Sequence, residues 1–287
     1  MNVMLSDYFK LFLHYILPKK ALTIFAGLLA NNKTVFIKNY LIEGFIEKYG
    51  VNMQEAALET PSDYPDFNTF FIRKLKSGVR QMASVDVVSP ADGVVSEFGR
   101  IHRGKLIQAK GIDYLVNDLL SCDKALSEPF HEGLFATIYL SPKDYHRIHM
   151  PIDAQLELMI HVPGTLFSVQ PFTTQHIKKL FSRNERLVVF FSTALGPMAM
   201  ILVGATIVGS IGTAWQGTLS RSSDVKVTHY KPDGLYNTAF KKGDEMGYFK
   251  LGSTVIVLFG KDISLVWDDA LYAGSSIKLG EPLALLR

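Results

Sequence analysis

GDEMGYFKLGSTVIVLFG, residues 243–260, sets Gly252-Ser253-Thr254 directly before an apolar, β-branched run that reads as a buried strand. Gly252 carries no side chain to block approach, so a serine hydroxyl aimed backwards can add to the preceding carbonyl. The acyl group then moves from nitrogen to oxygen and leaves an ester, which breaks where an amide survives. β-Elimination would leave dehydroalanine at position 253, and its hydrolysis a pyruvoyl group capping the fragment 253–287. Taken alone, Gly-Ser-Thr is short and common, and a turn entering a strand is its ordinary reading.

Outward from that stretch, the chain of 287 residues is 48% hydrophobic, enough for one large domain or two small ones with a sizeable core. The formal charge is +3, and Lys and Arg are scattered, with short pairs such as Lys19-Lys20, Lys178-Lys179 and Lys241-Lys242. Nucleic acid is therefore not an expected partner. Cys122 is the single cysteine, which excludes an intramolecular disulfide and a cysteine-based zinc cluster and suits a reducing compartment. No basic region and small-residue cleavage site mark the first residues, so a cytoplasmic chain is expected. Leu187 to Ser220 carries no charge and exceeds the roughly 20 residues of a bilayer span. Its β-branched residues and the breaks at Gly196-Pro197, Gly204, Gly209 and Gly212 predict strands instead.

Residues 1–50 predict three short amphipathic helices separated by Pro18 and Asn31-Asn32. In the first, Leu5, Phe9, Phe12 and Ile16 form an apolar face edged by Lys10, Lys19 and Lys20, suited to the protein's own core or to an anionic bilayer surface. After a connector containing Pro61 and Pro65, segments at 86–88, 94–98, 135–140, 187–192, 198–203, 206–211, 225–229, 254–259 and 262–267 predict a β-rich body, barrel-like or antiparallel, with few helices. The expected fold class is thus α+β. ADGVVSEFG, KKGDEMGYF and GSSIKLGEPLALL have the style of lipoyl-like hairpin halves.

Activating Ser253 requires a base. His146 and His149 stand between Pro142 and Pro151; one helical turn would set both on one side, whereas an extended chain would not. Asp92, in SPADG, can orient an imidazole or simply favour a tight turn before Gly93. The remaining histidines, His14, His102, His131, His161, His176 and His229, read as structural or surface residues, without metal-ligand spacing.

SPADG (89–93), YLSPKDYHRIHMP (139–151) and GDEMGYFKLGSTVIVLF occur in the order found in bacterial-type phosphatidylserine decarboxylases, which the chain closely resembles. FNTFFIRKLKSGVR (67–80), HVPGTLFSVQP (161–171), NERLVVF (184–190) and VGATIVGSI (203–211) extend the similarity over nearly everything after about residue 60. The resemblance implies autocatalytic cleavage between Gly252 and Ser253, giving a β chain 1–252 and an α chain 253–287 that stay associated, and a covalent pyruvoyl cofactor from Ser253 rather than a metal or pyridoxal phosphate. It implies Asp92, His149 and Ser253 as the maturation set and His146 as the acid returning a proton to carbon, although one imidazole could serve both steps. It further implies a membrane-contact region over 1–55, a catalytic domain over 56–287, phosphatidylserine as substrate and a peripheral place on the cytoplasmic face of a bacterial membrane. A homodimer is compatible with it. For the lipid, Gly164 and Thr165 can offer donors and Phe167 an apolar wall, or the three can form a turn entering a strand. Arg73, Lys74 and Lys76 stand to steer an anionic membrane or to be solvated. The rivals are a serine hydrolase using Asp92-His149-Ser253, which lacks a G-x-S-x-G elbow, and an uncleaved, non-catalytic lipid-binding protein.

Overall fold

The computed structural model describes residues 19–109, 111–205, 210–220, 222–250 and 253–287. The expected helix around Leu5–Ile16, and Gly252 of the expected cleavage site, lie outside them. Helices α1 (Lys19–Ala30), α2 (Val35–Tyr49) and α3 (Phe67–Phe71) open the fold; α4 (Val116–Leu120), α5 (Lys124–Ser127), α6 (Pro171–Thr174) and α7 (Leu180–Arg183) are single turns between strands. In chain order the strands are β1 (Val87–Val88), β2 (Gly93–Arg100), β3 (Lys105–Ala109), β4 (Ile112–Leu115), β5 (Leu134–Leu140) and β6 (Arg147–His149). There follow β7 (Ala154–Val162), β8 (Arg186–Thr193), β9 (Gly196–Val203), β10 (Ile211–Thr213), β11 (Gly217–Thr218) and β12 (Lys226–His229). The last are β13 (Ala239–Phe240), β14 (Glu245–Phe249), β15 (Ser253–Phe259), β16 (Leu265–Trp267), β17 (Ser276–Ile277) and β18 (Pro282–Leu286).

An antiparallel sheet of nine strands, ordered β12-β7-β8-β9-β15-β5-β2-β17 with β13 also on β7, forms the body. Its middle strand, β15, is buried at all seven positions, because both faces of the sheet are covered. Val255, Val257 and Phe259 enter one core with Ile138, Met200 and Phe249, while Ile256 and Leu258 enter a second with Phe135, Ile201 and Phe181. Two covered faces leave no place for charge, which explains the uncharged run through β8 and β9 without any membrane span. Among the described residues no helix is long and apolar enough to cross a bilayer.

The structure corrects the barrel-like expectation: the sheet stays open. Closure needs two long strands to meet, yet β17 offers β2 only two residue pairs, and the opposite edge is the short β12, begun by Lys226. Two smaller sheets, β1-β18-β16 and β11-β10-β14-β6, pack over the first core. Gly93 begins β2 where β5 passes so close that a Cβ would lie 2.4 Å from the Tyr139 carbonyl oxygen. A third, helical core joins Ile42, Tyr64, Phe67, Phe70 and Phe71. On its outside, α1 and α2 present Ile24, Phe25, Leu28, Val35, Phe36 and Tyr40 to solvent, with Phe36 80% exposed.

Candidate active site

The strands on either side of the expected cleavage point, β14 and β15, belong to different sheets. β14 ends in the four-stranded sheet, where the Phe249 amide donates to the His146 carbonyl (3.0 Å) and the Lys250 amide to Ser210 (3.0 Å). β15 begins at Ser253, opposite Leu140 in the main sheet. Both ends are thus held by backbone pairing. Ser253 is fully buried, and its Oγ has no hydrogen-bond partner among the described residues. A buried hydroxyl left unpaired forfeits about 1–3 kcal/mol, a cost that marks the position as more than a packing site.

His146 follows a turn closed by the Ser141 amide and hydroxyl, both donating to Asp144 Oδ2 at 2.7 Å. Its Nδ1–H donates to the Asp144 carbonyl (2.8 Å), which leaves the lone pair on Nε2, an atom with no partner among the described residues. The ring packs 4.2 Å from Phe71 and is wholly buried. Burial, with the positive charge of Arg73 nearby, pulls its pKa down to about 3. The imidazole is therefore a neutral base at physiological pH.

His149 lies in strand β6, so the chain is extended here and the two histidines face opposite ways. The Nδ1–H of His149 donates to the Gly243 carbonyl (2.7 Å), and the Tyr145 hydroxyl donates to Nε2 (3.0 Å). Burial again lowers the pKa. A cleft of about 310 Å³ reaches this ring past Lys74, Lys76, Arg80 and Leu279. Asp92 is gripped by Arg80, Nε to Oδ1 at 3.0 Å and Nη2 to Oδ2 at 2.5 Å, and accepts from the Leu279 amide (2.8 Å). The SPADG segment is tied to the histidine strand through the His149 amide to Pro90 (2.9 Å) and the Val88 amide to Pro151 (3.0 Å). Asp92 is thereby close enough for its charge to favour protonation of His149, although no hydrogen bond joins them. The backbone thus ties Asp92 to the His149 strand, whereas His149 lies opposite Glu245, at the end of β14 away from Ser253, and no hydrogen bond joins either residue to Ser253.

The donors of Thr165 and Phe167 in HVPGTLFSV are spent within the chain. The Thr165 amide and hydroxyl donate to the Arg183 carbonyl (2.8 and 3.0 Å), and the Phe167 amide donates to Asn184 Oδ1 (3.0 Å). Gly164 passes so close to 183–185 that a Cβ would meet the Arg183 oxygen at 2.5 Å. Phe167 is buried under the Arg183 guanidinium. Lys74 and Lys76 are solvated. Arg73 corrects the expectation for its group: it is 4% exposed, turned inward behind α3. Tyr145 and Arg80, which position His149 and Asp92, escaped the sequence reading; their place inside YLSPKDYHRIHMP and FNTFFIRKLKSGVR was the available signal.

Residues 67–285 match the family model described as phosphatidylserine decarboxylase. The chain belongs to this family. A second model, described as PSD, matches residues 9–50. A phosphatidylserine decarboxylase proenzyme of Legionella pneumophila (strain Philadelphia 1) is 52% identical over 99% of this chain and 100% of its own length. Proteins of the same name from Aliivibrio fischeri and Vibrio cholerae are 50% and 49% identical, over 98% and 97% of this chain and 99% of theirs. Within the decarboxylase match fall Arg73, Arg80, Asp92, Tyr145, His146, His149 and Ser253.

Proposed function

We propose that this chain is a self-processing decarboxylase that converts phosphatidylserine to phosphatidylethanolamine and carbon dioxide through a pyruvoyl group made from Ser253. The observation that carries the proposal is Ser253 itself: a buried serine whose hydroxyl has no partner among the described residues, following a glycine, between two sheets of a chain in this family. Its Oγ adds to the Gly252 carbonyl, the bond from that carbon to the Ser253 nitrogen breaks and frees the Ser253 amine, and an ester joins Gly252 to the side chain. Loss of the Cα proton with cleavage of the Cβ–O bond releases the Gly252 carboxylate. Water then replaces the enamine nitrogen, which leaves as ammonia.

Asp92 and His149 are assigned to this maturation and His146 to proton return during turnover. The burial of Asp92 and His146 keeps bulk water from competing for those protons, while the cleft leaves His149 half-buried. When present, the pyruvoyl ketone condenses with the substrate amine and draws electrons from the carbon that loses carbon dioxide. A second reading has a specific basis: His146 Nε2 has no partner among the described residues, and the His146 carbonyl is tied to Phe249, so this imidazole can also act as the base for Ser253.

The fragment 253–287 stays in place after cleavage, since β15 is hydrogen-bonded to both β5 and β9 along its length. The exposed apolar side chains of α1 and α2 are assigned to a phospholipid surface, which would seat the enzyme peripherally on the cytoplasmic face where its substrate lies. Intact-mass spectrometry of the denatured protein, with carbon dioxide release from phosphatidylserine vesicles, tests the whole. A separate 253–287 fragment with a pyruvoyl end and measurable turnover are expected. An intact chain with no turnover would refute it.

A further inference from the structure

Two guanidinium nitrogens of Arg73 find no acceptor among the described residues. Nη2 donates to the carbonyls of Lys143 (2.8 Å) and Asp144 (3.3 Å), and the guanidinium lies over Phe70 at 5.6 Å. Nε and Nη1 are buried without an acceptor, and no ion pair reaches the group among the described residues. A guanidinium does not lose its proton to escape this, so an unpaired cation held out of water is costly unless an anion arrives. The Asp144 carbonyl serves both Arg73 Nη2 and His146 Nδ1, so the guanidinium and the imidazole hang from one atom, and His146 Nε2 is unspent as well.

We infer that Arg73 binds the phosphodiester of the lipid headgroup through the donors the fold leaves unspent, an assignment that rests on the decarboxylase reading above. The headgroup offers two anions, and the chemistry chooses between them. The carboxylate loses its charge as carbon dioxide departs, so a cation paired with it would hold the ground state more tightly than the transition state. The phosphodiester keeps its charge throughout, only three bonds from the reacting carbon. Pairing there is uniform binding, which helps occupancy without opposing the reaction. It also affects His146: Arg73 disfavours protonation of that ring, and a phosphodiester that neutralises the guanidinium removes this opposition as substrate enters.

The test uses the full processed chain with phosphatidylserine in mixed micelles, comparing wild type, Arg73→Gln and Arg73→Lys. Glycerophosphoethanolamine, which has the phosphodiester and no carboxylate, serves as competing ligand. The Gln variant is expected to raise KM at least tenfold, with a smaller change in kcat, and to weaken inhibition by glycerophosphoethanolamine by a similar factor. The Lys variant should recover part of both losses. The alkaline limb of kcat/KM should move to higher pH in the Gln variant, because His146 must carry a proton to return it and removing the cation raises its pKa, a shift that a purely structural role would not produce. The assignment fails if glycerophosphoethanolamine inhibits wild type and the Gln variant equally, or if KM is unchanged. Should Arg73→Gln not mature, Arg73→Lys decides: unchanged KM and inhibition there would overturn the assignment. A wild type that neither cleaves nor decarboxylates would instead refute the functional reading.

Discussion

The surroundings of Arg186 and those of Ser253 are buried to the same degree and built on opposite terms. Arg186, 3% exposed, donates from all three guanidinium nitrogens, to the carbonyls of Leu119, Ser182, Asn184 and Asp118. Beside it, Asn184 bonds Phe167, Thr165 and Gly204, and Gln108 bonds Thr174, Ile177 and Leu180. Around the expected cleavage point, by contrast, Ser253, Thr254, His146 and Arg73 each keep a buried polar atom without a partner among the described residues. Unpaired atoms are not confined to this side, since Tyr114 Oη near Arg186 also lacks a partner among the described residues, but the same chain satisfies one buried arginine completely and leaves Arg73 short of acceptors.

The sharpest break of this contrast would come from Ser253→Ala. One unprocessed chain with no decarboxylation is expected on denaturing gels and in activity assays; normal cleavage in that variant would remove Ser253 from the mechanism. The two histidines come next. His149→Ala should block maturation, while His146→Ala should be cleaved and fail to decarboxylate, and the reverse pattern would favour the second reading of His146. Arg186→Met probes the satisfied side, where four carbonyls lose their charged donor. Its unfolding free energy should fall by about 3 kcal/mol or more, with cleavage intact in the folded fraction.

Acid should act through the unsatisfied side. The native fold holds His146 neutral down to about pH 3, whereas the unfolded chain takes up that proton near its ordinary pKa of roughly 6.5. The unfolded state therefore binds more protons between those values, and stability falls as pH drops through that window. Urea midpoints at pH 7 and pH 5 measure it, and His146→Gln should show a smaller difference than wild type. The smallest effect is expected for Thr254→Val, which removes an unpaired buried hydroxyl: stability should hold or rise by up to about 1 kcal/mol. A clear loss would mean that the hydroxyl has a partner.

Strands β8, β9 and β15 were legible because β-branched, uncharged runs have few other homes. Strand β7 was not, since AQLELMIHV is made largely of helix formers, and pairing with β8 along its length overrides that preference. For the site, Ser253 and Asp92 could be read from short motifs, while the facing of the two histidines depended on whether their segment was extended. Arg73 was the hardest. Sitting beside Lys74 in a basic stretch, it shares their local pattern, and only the packing of α3 against His146 turns it inward.

The central place of β15 also sets how the mature protein can come apart. An uncut chain refolds as a single molecule, at a rate independent of its concentration. With the proposed cut before Ser253, the middle strand of the sheet would belong to a separate polypeptide of 35 residues, and recovery from full denaturation would become a bimolecular encounter. Such maturation would exchange a reversible fold for one whose persistence is kinetic, and dilution after heating should inactivate the processed enzyme far more lastingly than its precursor.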